Sequence, residues 1–531
     1  MTKFRFHYQL DKDLPKLAWL ACIDQDRRAI SVIHGLSVEC NDGWMVEGVW
    51  DDNFELGNFH QSENFFGSGI RIDGDCVYCV PSSALVDRLL YCEDQNTTLI
   101  SNSLIVLLAA TGAALDDNHN YHRESLSILK GIEKYDKEFT VIHPRIKCFY
   151  QIFYENMVIS NSGMSFQKRG RPQKINSFEQ YYKLLKEILV RIKHNYESKA
   201  RENIVHPFTT ISAGYDSTAV ACLVKDLGVN FCFTGNSSLD RPMPLRFIKR
   251  FSEDGSLPAK ALGLDTRYLD TRRASVSEDE LYFLATNYPK FSASTHEPIM
   301  LDGEPIRPIS RWSELSLHSM ASYIEKSCSA AVVFTGYHGD IIWDVNTPEK
   351  HLTEDILRQD TSGLNLTEIR LKAGFFNVAV PFVVATHVKE IVKISRSSEM
   401  KPWRLNNSYD RPIPRRIAES SGVHRNHFGM CKGGLAAMYR WPINTCLRKQ
   451  FFKYLKENYG IGPFFVYVHY ILNYSVLQLH VGLKKIGLSS SKNRNIYFWR
   501  RLDFYHLMNH WAVSVLTEKT SHILRKRLTE L

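Results

Sequence analysis

The segment from Thr209 to Gly228 constrains the fold of this chain more than any other part of its sequence. It reads TTISAGYDSTAVACLVKDLG, so β-branched residues run into a Ser-Ala-Gly-Tyr-Asp-Ser turn, and a helical pattern follows until a glycine ends it. Small residues between a strand and a helix let backbone N–H groups approach an anion, and the helix N-terminus attracts negative charge. The segment therefore predicts a phosphate-binding turn, although an ordinary strand–turn–helix with a Ser/Asp cap fits the same residues.

This turn lacks the lysine of a Walker A loop, so the positive charge near a bound phosphate must come from another source. Asp216 lies within the turn and would repel phosphates on its own. A Mg²⁺ ion that bridges the Asp216 carboxylate and phosphate oxygens removes this conflict, because Mg²⁺ prefers such oxygen ligands. Asp216 is therefore predicted to be a metal ligand.

Strands alternate with helices in the second half of the chain. Ser177 is a plausible N-cap with Gln180 as its capping-box partner, and an apolar stripe follows at helical spacing. The stripe consists of Tyr181, Leu184, Leu185, Ile188, Leu189 and Ile192. Short apolar strands are predicted at Thr209–Ile211, Asn230–Thr234 and Ala330–Phe334. This alternation indicates right-handed βαβ units and a doubly wound parallel sheet, an α/β fold.

The N-terminal half is typical of short strands separated by turns, with a first helical pattern at Leu104–Ala114. The polar, basic stretch from Ser160 to Lys174 contains glycine and proline and is predicted to be a linker. The predicted domains are 1–159, a linker at 160–176, a second domain at 177–445 and a helical C-terminal extension at 446–531.

Composition excludes several classes of protein. With 531 residues, 44% hydrophobic and 23% charged, the chain is not fully disordered, collagen-like or a coiled coil. Cys76 and Cys79 form a CxxC without a second pair, so no structural zinc is expected. Scattered cysteines and the polar start of the chain, without a secretory signal, favour a cytoplasmic location. Homo-oligomerisation is left open.

Positive charge is concentrated at the C-terminus. The chain has a formal net charge of +9, and Lys484–Leu531 holds ten Lys/Arg against three Asp/Glu. Such a basic tail can attract nucleic acid, anionic lipid or an acidic carrier protein, although a solvated helical surface is the favoured interpretation. The rest of the chain is nearly neutral, so binding of nucleic acid by the whole protein is not indicated. The apolar stretch 464–483 is long enough to cross a bilayer, but its polar residues favour a buried helix, with peripheral membrane association left open.

The Ser-x-Gly-x-Asp-Ser turn resembles the pyrophosphate-binding loop of the asparagine synthetase-like ATP pyrophosphatases, usually SGGxDS. The resemblance implies that ATP and pyrophosphate bind to the turn, namely to Ser212, Ala213, Gly214, Tyr215, Asp216 and Ser217. Ala213 replaces the first glycine of the family, which requires a negative φ at this position.

A second motif strengthens the resemblance. The sequence VVFTGYHGD at 332–340 is similar to the family's strand followed by SGEGGDE. The resemblance implies that Asp340 helps Asp216 to hold the metal and pyrophosphate. It also places Thr335 and Gly336 beside the nucleotide. Ile341 stands where the family has its final glutamate, so one metal contact is missing.

Tyr337 replaces the first glutamate of that motif, as in the β-lactam and carbapenam synthetases, which use a Tyr–Glu pair as base. Glu368 is the candidate partner by approximate spacing. A phenol titrates near 10 and needs such a partner to act as a base near neutrality. A packed aromatic residue is the alternative for Tyr337.

A third stretch, from Tyr409 to Lys432, is similar to the family's C-terminal segment, whose lysine reaches the active site. Lys432 is the match, and it could stabilise charge on the pentavalent phosphorus and the tetrahedral carbon. On its own, a lysine beside two glycines is more often a surface residue.

The N-terminal half is similar, more weakly, to the family's glutaminase domain, an Ntn-hydrolase β-sandwich. The similarity lies at Val80–Ser82 and Leu99–Leu104. That domain uses a cysteine after the initiator methionine, where this chain has Thr2. The resemblance therefore implies a degenerate domain that does not release ammonia from glutamine.

Together, these motifs predict an ATP- and Mg²⁺-dependent ligase that adenylates a small-molecule or peptide carboxylate for attack by an amine, with lactam closure as one form. Two alternatives stay open. A PP-loop RNA-modifying enzyme would place the basic tail on RNA. A degenerate synthetase would act as a binding subunit.

Overall fold

The computed structural model describes residues 3–94, 97–119, 121–169, 174–235, 254–269, 277–286, 300–301, 304–305, 317–358, 362–407, 409–430, 441–469, 471–472, 475 and 504–528. Strands of the N-terminal half are β1 Arg5–Leu10, β2 Trp19–Asp24, β3 Ala29–His34, β4 Glu39–Asn41, β5 Trp44–Trp50, β6 Phe65–Asp73, β7 Cys76–Val80, β8 Leu89–Asp94, β9 Thr97–Ser101, β10 Glu138–Thr140, β11 Cys148–Ile152, β12 Asn156–Ser160 and β13 Gly163–Gln167. Strands of the second half are β14 Val205–Thr210, β15 Phe231–Gly235, β16 Asp265–Leu269, β17 Met300–Leu301, β18 Glu304–Pro305, β19 Ala330–Thr335 and β20 Phe375–Ala379. The helices are α1 Leu104–Thr111, α2 His122–Leu126, α3 Phe178–Tyr196, α4 Tyr215–Val224, α5 Ser256–Ala261, α6 Ser277–Thr286, α7 Leu317–Ser327, α8 Gly339–Ile342, α9 Thr367–Ala373, α10 Val388–Arg396, α11 Pro412–Ser420, α12 Thr445–Tyr459 and α13 Phe504–Leu528.

Two sheets of the N-terminal half pack face to face. One has the order β1-β3-β2-β9-β8-β11-β10, and the other has the order β13-β12-β7-β6-β5-β4. Alternate residues of a strand point to the same face, so Trp19, Ala21 and Ile23 of β2 are all buried on one side. They share a cluster with Ile70 and Val77 of the opposite sheet. This shared apolar layer joins the two sheets.

The predicted linker is corrected in its first half, because Gly163–Gln167 forms the edge strand β13. It pairs antiparallel with β12, and Ser160 lies opposite Gly163, so the two strands form a tight hairpin. Gly163 has φ +105°, a conformation that favours glycine. An edge strand can be polar because one of its sides faces solvent, and this composition resembles that of a linker.

The second half contains the predicted parallel sheet. Its order is β16-β15-β14-β19-β20, and each neighbouring pair is parallel. The chain is therefore mixed α/β with several sheets. Helix α3 precedes this sheet and begins as predicted, because the Ser177 hydroxyl accepts a hydrogen bond from the backbone N–H of Gln180.

The strand order creates a crevice at one edge of this sheet. β14 is first in the chain and is followed on one side by β15 and β16, whereas β19 and β20 lie on its other side. The loops after β14 and β19 therefore leave the sheet in opposite directions, at a topological switch point. Ligands of open α/β sheets bind at such points, outside the carboxyl ends of the strands.

A buried ion network fixes the N-terminal sheets to the second half. The Arg370 guanidinium on α9 donates to the Glu47 carboxylate of β5 at 2.8 Å and lies 3.0 Å from the Asp87 carboxylate. All three side chains are at most 8% exposed. One guanidinium thus pairs with two carboxylates of the N-terminal half, and breaking such a buried pair is costly, so the network stabilises the contact between the two halves.

The C-terminal helix α13 is part of the core. Met508, Ala512 and Leu516 are fully buried, and α13 packs against α1 and α6. Near its end, Arg527 Nε lies 3.0 Å from Asp11 Oδ2, and Lys519 pairs with Glu278. Lys519 is 55% exposed and Arg527 is 38% exposed, so these basic side chains lie on a solvated surface, as the sequence favours, while the apolar face of α13 is buried. Residues 484–503 and 529–531 of the basic tail lie outside the described residues.

The predicted buried helix at 464–483 is corrected in its first part, while residues 470, 473–474 and 476–483 lie outside the described residues. Residues 463–469 and 471–472 are helical, but Phe464 is 81% exposed. Among the helices that the structure describes, none combines the length and apolar character needed to span a bilayer.

Candidate functional site

The turn after β14 is held by its own serines. Ser212 Oγ and Ser217 Oγ lie 2.7 Å apart, and Ser217 Oγ accepts from the backbone N–H of Ser212 at 3.0 Å. Ser212 Oγ also accepts from the N–H of Gly214 at 3.1 Å. Ala213 has a negative φ, as the sequence requires, so the missing glycine does not strain the turn. These hydrogen bonds fix the turn at the N-terminus of α4, and a helix N-terminus is an environment that suits an anion.

The second motif packs directly on this turn. A Cβ atom at Gly336 would lie 2.9 Å from the backbone carbon and the Cβ of Asp216. A Cβ atom at Gly339 would lie 2.6 Å from Asp216 Cγ. Only glycine permits this approach, because carbon atoms in contact ordinarily lie about 3.5–4.0 Å apart. The structure thus brings the two predicted motifs together at Asp216.

The loop of the second motif is shaped by His338. This residue lies in the left-handed region with φ 75°, which is uncommon for a residue other than glycine. Its ring stacks on Phe382 with 4.5 Å between the ring centroids. The stacking fixes the turn that leads into α8, whose first turn carries Asp340.

Arg411 brings a buried positive charge to the site, a role that its sequence context did not reveal. Its guanidinium donates to Asp216 Oδ2, and its Nε lies 3.9 Å from Asp344 Oδ2. The side chain is only 2% exposed. Burial alone would lower the pKa of Arg411, but the nearby carboxylates of Asp216 and Asp340 outweigh burial and raise the pKa. In the sequence, the feature that could have indicated Arg411 is its position directly before Pro412, the first residue of α11.

The two predicted metal ligands, Asp216 and Asp340, lie on the two loops that meet at the turn after β14. Gly339, the residue before Asp340, packs on the Asp216 side chain, and both carboxylates raise the pKa of Arg411. Within the described ranges, no group of three or more His, Cys, Asp or Glu is arranged to hold a metal. A Mg²⁺ ion at this place would therefore need phosphate oxygens and water as further ligands, which is its usual mode of binding in nucleotide sites.

The Tyr215 and Thr335 side chains turn away from the crevice. Tyr215 is fully buried, and its hydroxyl oxygen accepts from Arg415 Nη2 at 2.6 Å. The Thr335 hydroxyl donates to Asn377 Oδ1 of β20 at 2.9 Å. Both side chains therefore have structural hydrogen-bond partners, and their backbone groups are the better candidates for the predicted nucleotide binding.

Glu368 caps a helix of the N-terminal half. One carboxylate oxygen accepts from Ser103 Oγ at 2.7 Å, and the other accepts from the N–H of Leu104 at 3.0 Å. Burial raises the pKa of Glu368 to about 7, against these two hydrogen bonds, which lower it. Because both carboxylate oxygens of Glu368 accept hydrogen bonds at the start of α1, these contacts do not favour Glu368 as the base partner of Tyr337.

Tyr337 is half-buried at the junction of the two halves. A Cβ atom at Gly363 would lie 2.8 Å from the Tyr337 ring and 2.9 Å from Val86 of the N-terminal half. The ring therefore packs over Gly363, next to the loop that carries Gly336.

The third stretch also reaches the turn after β14. The N–H of Gly429 donates to the carbonyl oxygen of Ala213 at 2.8 Å. Gly429 has φ +61°, and a Cβ atom there would lie 2.4 Å from the Tyr215 ring. Lys432 lies outside the described residues, as does Thr2 at the N-terminus. All three stretches singled out in the sequence thus meet around one crevice.

Scans against models of protein families and against curated proteins find no match to this chain.

Proposed function

We propose that the protein is an ATP-dependent, AMP-forming carbon–nitrogen ligase of the asparagine synthetase type. The observation that carries this proposal is the convergence of two glycine-containing loops on Asp216, at the switch point of a parallel sheet. In this proposal the parallel sheet belongs to a PP-loop ATP pyrophosphatase domain. The two N-terminal sheets correspond to a degenerate Ntn-hydrolase-like domain.

The proposed reaction has two steps. A substrate carboxylate attacks the α-phosphorus of ATP, which forms an acyl-adenylate and releases pyrophosphate. An amine then attacks the acyl carbon and releases AMP. The first step makes the carboxylate electrophilic, since AMP is a far better leaving group than hydroxide. Free ammonia, a second substrate or an amine of the same molecule could serve as the nucleophile.

The residues of the site have separate roles in this scheme. The N-terminus of α4 and the turn from Ser212 to Ser217 bind the pyrophosphate through N–H groups and hydroxyls. Asp216 and Asp340 would hold Mg²⁺, which supplies charge neutralisation at the phosphates. Arg411 orients the Asp216 carboxylate through its hydrogen bond. Tyr337 would act as the base on the attacking amine, and Lys432 would stabilise the developing oxyanion.

One observation favours a second candidate, the degenerate binding subunit. Ile341 is 4% exposed and apolar at the position where the resemblance implies a metal-binding glutamate. An RNA-thiolating enzyme is less well supported. Cys222 and Cys232 are buried, and burial raises the pKa of both thiols to about 12, which makes them poor nucleophiles.

The decisive experiment incubates the full chain with ATP, Mg²⁺ and a small-molecule cell extract and separates AMP from ADP. Asp216→Asn should abolish AMP formation, because it removes one ligand charge. Asp226→Asn is the matched control, because Asp226 follows the same helix and is exposed. AMP from wild type and control alone supports the ligase. ATP binding without AMP, in extracts from several sources, favours the binding subunit, and ADP formation refutes the adenylating mechanism.

A further inference from the structure

A short helix beyond α12 exposes an uncharged apolar surface. It comprises residues 463–469 and 471–472, here called the 463–472 helix, and its sequence contains no Asp, Glu, Lys or Arg. Its exposed large residues are Phe464 at 81%, Ile471 at 59%, Phe465 at 48%, Leu472 at 47% and Tyr467 at 39%. By contrast, Val466 and His469 are buried.

These exposed residues share one face of the helix. With 3.6 residues per turn, Phe464 and Ile471 lie almost directly above one another, and Phe465 and Leu472 form a parallel row beside them. Large side chains of about 200 Å² each, exposed to these fractions, amount to roughly 500 Å² of apolar surface. The largest contiguous apolar patch of a monomeric protein ordinarily has about this size and is often functional.

The 463–472 helix is held firmly against the rest of the protein. The Tyr467 ring packs edge-on against Trp441 at 4.8 Å and against Phe452 of α12 at 5.8 Å, both between ring centroids. The patch therefore belongs to a packed helical hairpin, in which one helix supplies the apolar face.

The other helix of the hairpin supplies positive charge. Lys449, Lys453 and Lys456 are exposed on α12. Their i, i+4, i+7 spacing places them in one row, within about 100° of Phe452 around the helix. Glu457, which lies 3.8 Å from Lys453, is the acidic residue beside this row. Cations thus border the seam at which the two helices meet.

We propose that this hairpin binds the protein to an anionic membrane surface, with the face of the 463–472 helix in the headgroup region. A bilayer interface takes up aromatic and aliphatic side chains and attracts neighbouring lysines, and it does not require a complementary shape. A stable dimer buries about 800 Å² on each partner, which is more than this face offers. An acidic peptide would use the lysines but would leave the uncharged face in water.

The test is co-sedimentation of the full chain with two kinds of vesicle: phosphatidylcholine alone, and phosphatidylcholine mixed with phosphatidylglycerol. The wild type should bind the mixed vesicles more strongly, and added salt should weaken binding. Replacing Lys449, Lys453 and Lys456 by Gln should lower the partition coefficient by about fivefold for each lysine.

A second pair of variants distinguishes binding through this face from nonspecific hydrophobic binding to vesicles. Phe464→Ser with Ile471→Ser should lower binding at least about tenfold, because both side chains leave the interface. Ile204→Ser is the control, since Ile204 is 73% exposed but lies elsewhere. All these positions are exposed, so circular dichroism melting curves should be unchanged.

Three outcomes would overturn the proposal. The first is a wild type that does not sediment with mixed vesicles. The second is a Phe464/Ile471 double variant that binds as well as the wild type. The third is a concentration-dependent dimer in light scattering that this double variant abolishes without any vesicle binding, which would assign the face to a second copy of the chain.

Discussion

Gly336→Ala tests whether the two motif loops form one packed site. The new Cβ atom would lie 2.9 Å from the backbone carbon and Cβ of Asp216 and from the backbone nitrogen of Ser217. Ordinary contact needs about 3.5 Å, so the loops must separate by roughly 0.6 Å. Two of these three neighbouring atoms belong to the backbone, which cannot rotate away as a side-chain end can. Overpacking of this kind costs about 1–3 kcal/mol, and we expect the free energy of unfolding to fall by that amount.

The assay combines urea unfolding with amide hydrogen exchange of the α4 region, measured by mass spectrometry. Exchange should accelerate there in Gly336→Ala, because the loop that covers the start of α4 is displaced. Gly462→Ala is the matched control, since a Cβ atom there meets nothing within 4 Å and φ is not positive. It should be neutral or more stable by about 0.4–1 kcal/mol. If Gly336→Ala also leaves stability and exchange unchanged, the two loops do not pack as described.

Three further predictions follow from buried groups. Arg411→Met should lower the free energy of unfolding by about 2–4 kcal/mol. This loss is smaller than that expected for breaking a fully buried ion pair, because Asp216 is 20% exposed. In a double-mutant cycle measured by urea unfolding, adding Asp216→Asn should recover part of the loss. The pKa of Glu368 is about 7 in the fold against an ordinary 4.5, so the folded chain binds more protons between these values and stability falls as pH rises through them. Over this interval of about 2.5 pH units the free energy of unfolding should fall by roughly 3 kcal/mol. Glu368→Gln should flatten that part of the curve of stability against pH, and an unchanged slope would contradict the raised pKa. Leu516→Ala in α13 should cost about 2–5 kcal/mol because Leu516 is fully buried, whereas Ser514→Ala, at an exposed position, should change stability by less than about 0.5 kcal/mol.

The features that the sequence predicted correctly depend on interactions between residues close together in the chain or on general rules of strand connection. The start of α3 needs only a hydroxyl at Ser177 and a backbone N–H three residues later, so a short pattern contains the whole interaction. The negative φ of Ala213 follows in the same way from the absence of a glycine at that place. The parallel sheet was predictable because strands connected through helices pair in parallel.

Side-chain directions and long-range contacts could not be predicted in this way. The loop motif indicates where the Tyr215 backbone lies, but the direction of its ring depends on Arg415, which is 200 positions away. Spacing placed Glu368 near the site, whereas its partners Ser103 and Leu104 lie more than 260 positions earlier. The strand β13 was missed for a different reason, since a polar edge strand and a linker have the same composition.

The burial of Ile341 has a consequence for the proposed ligase. Ile341 follows Asp340 directly, and its side chain is packed in the interior, so no carboxylate from this position can reach the crevice. If the proposed function is correct, Mg²⁺ would have two protein carboxylates as ligands, Asp216 and Asp340, and Asp216 also accepts a hydrogen bond from Arg411. Mg²⁺ demands near-octahedral oxygen ligands and gives up its water reluctantly, so two carboxylates alone hold it weakly. Phosphate oxygens must complete the shell, and the metal would therefore enter the site together with the nucleotide.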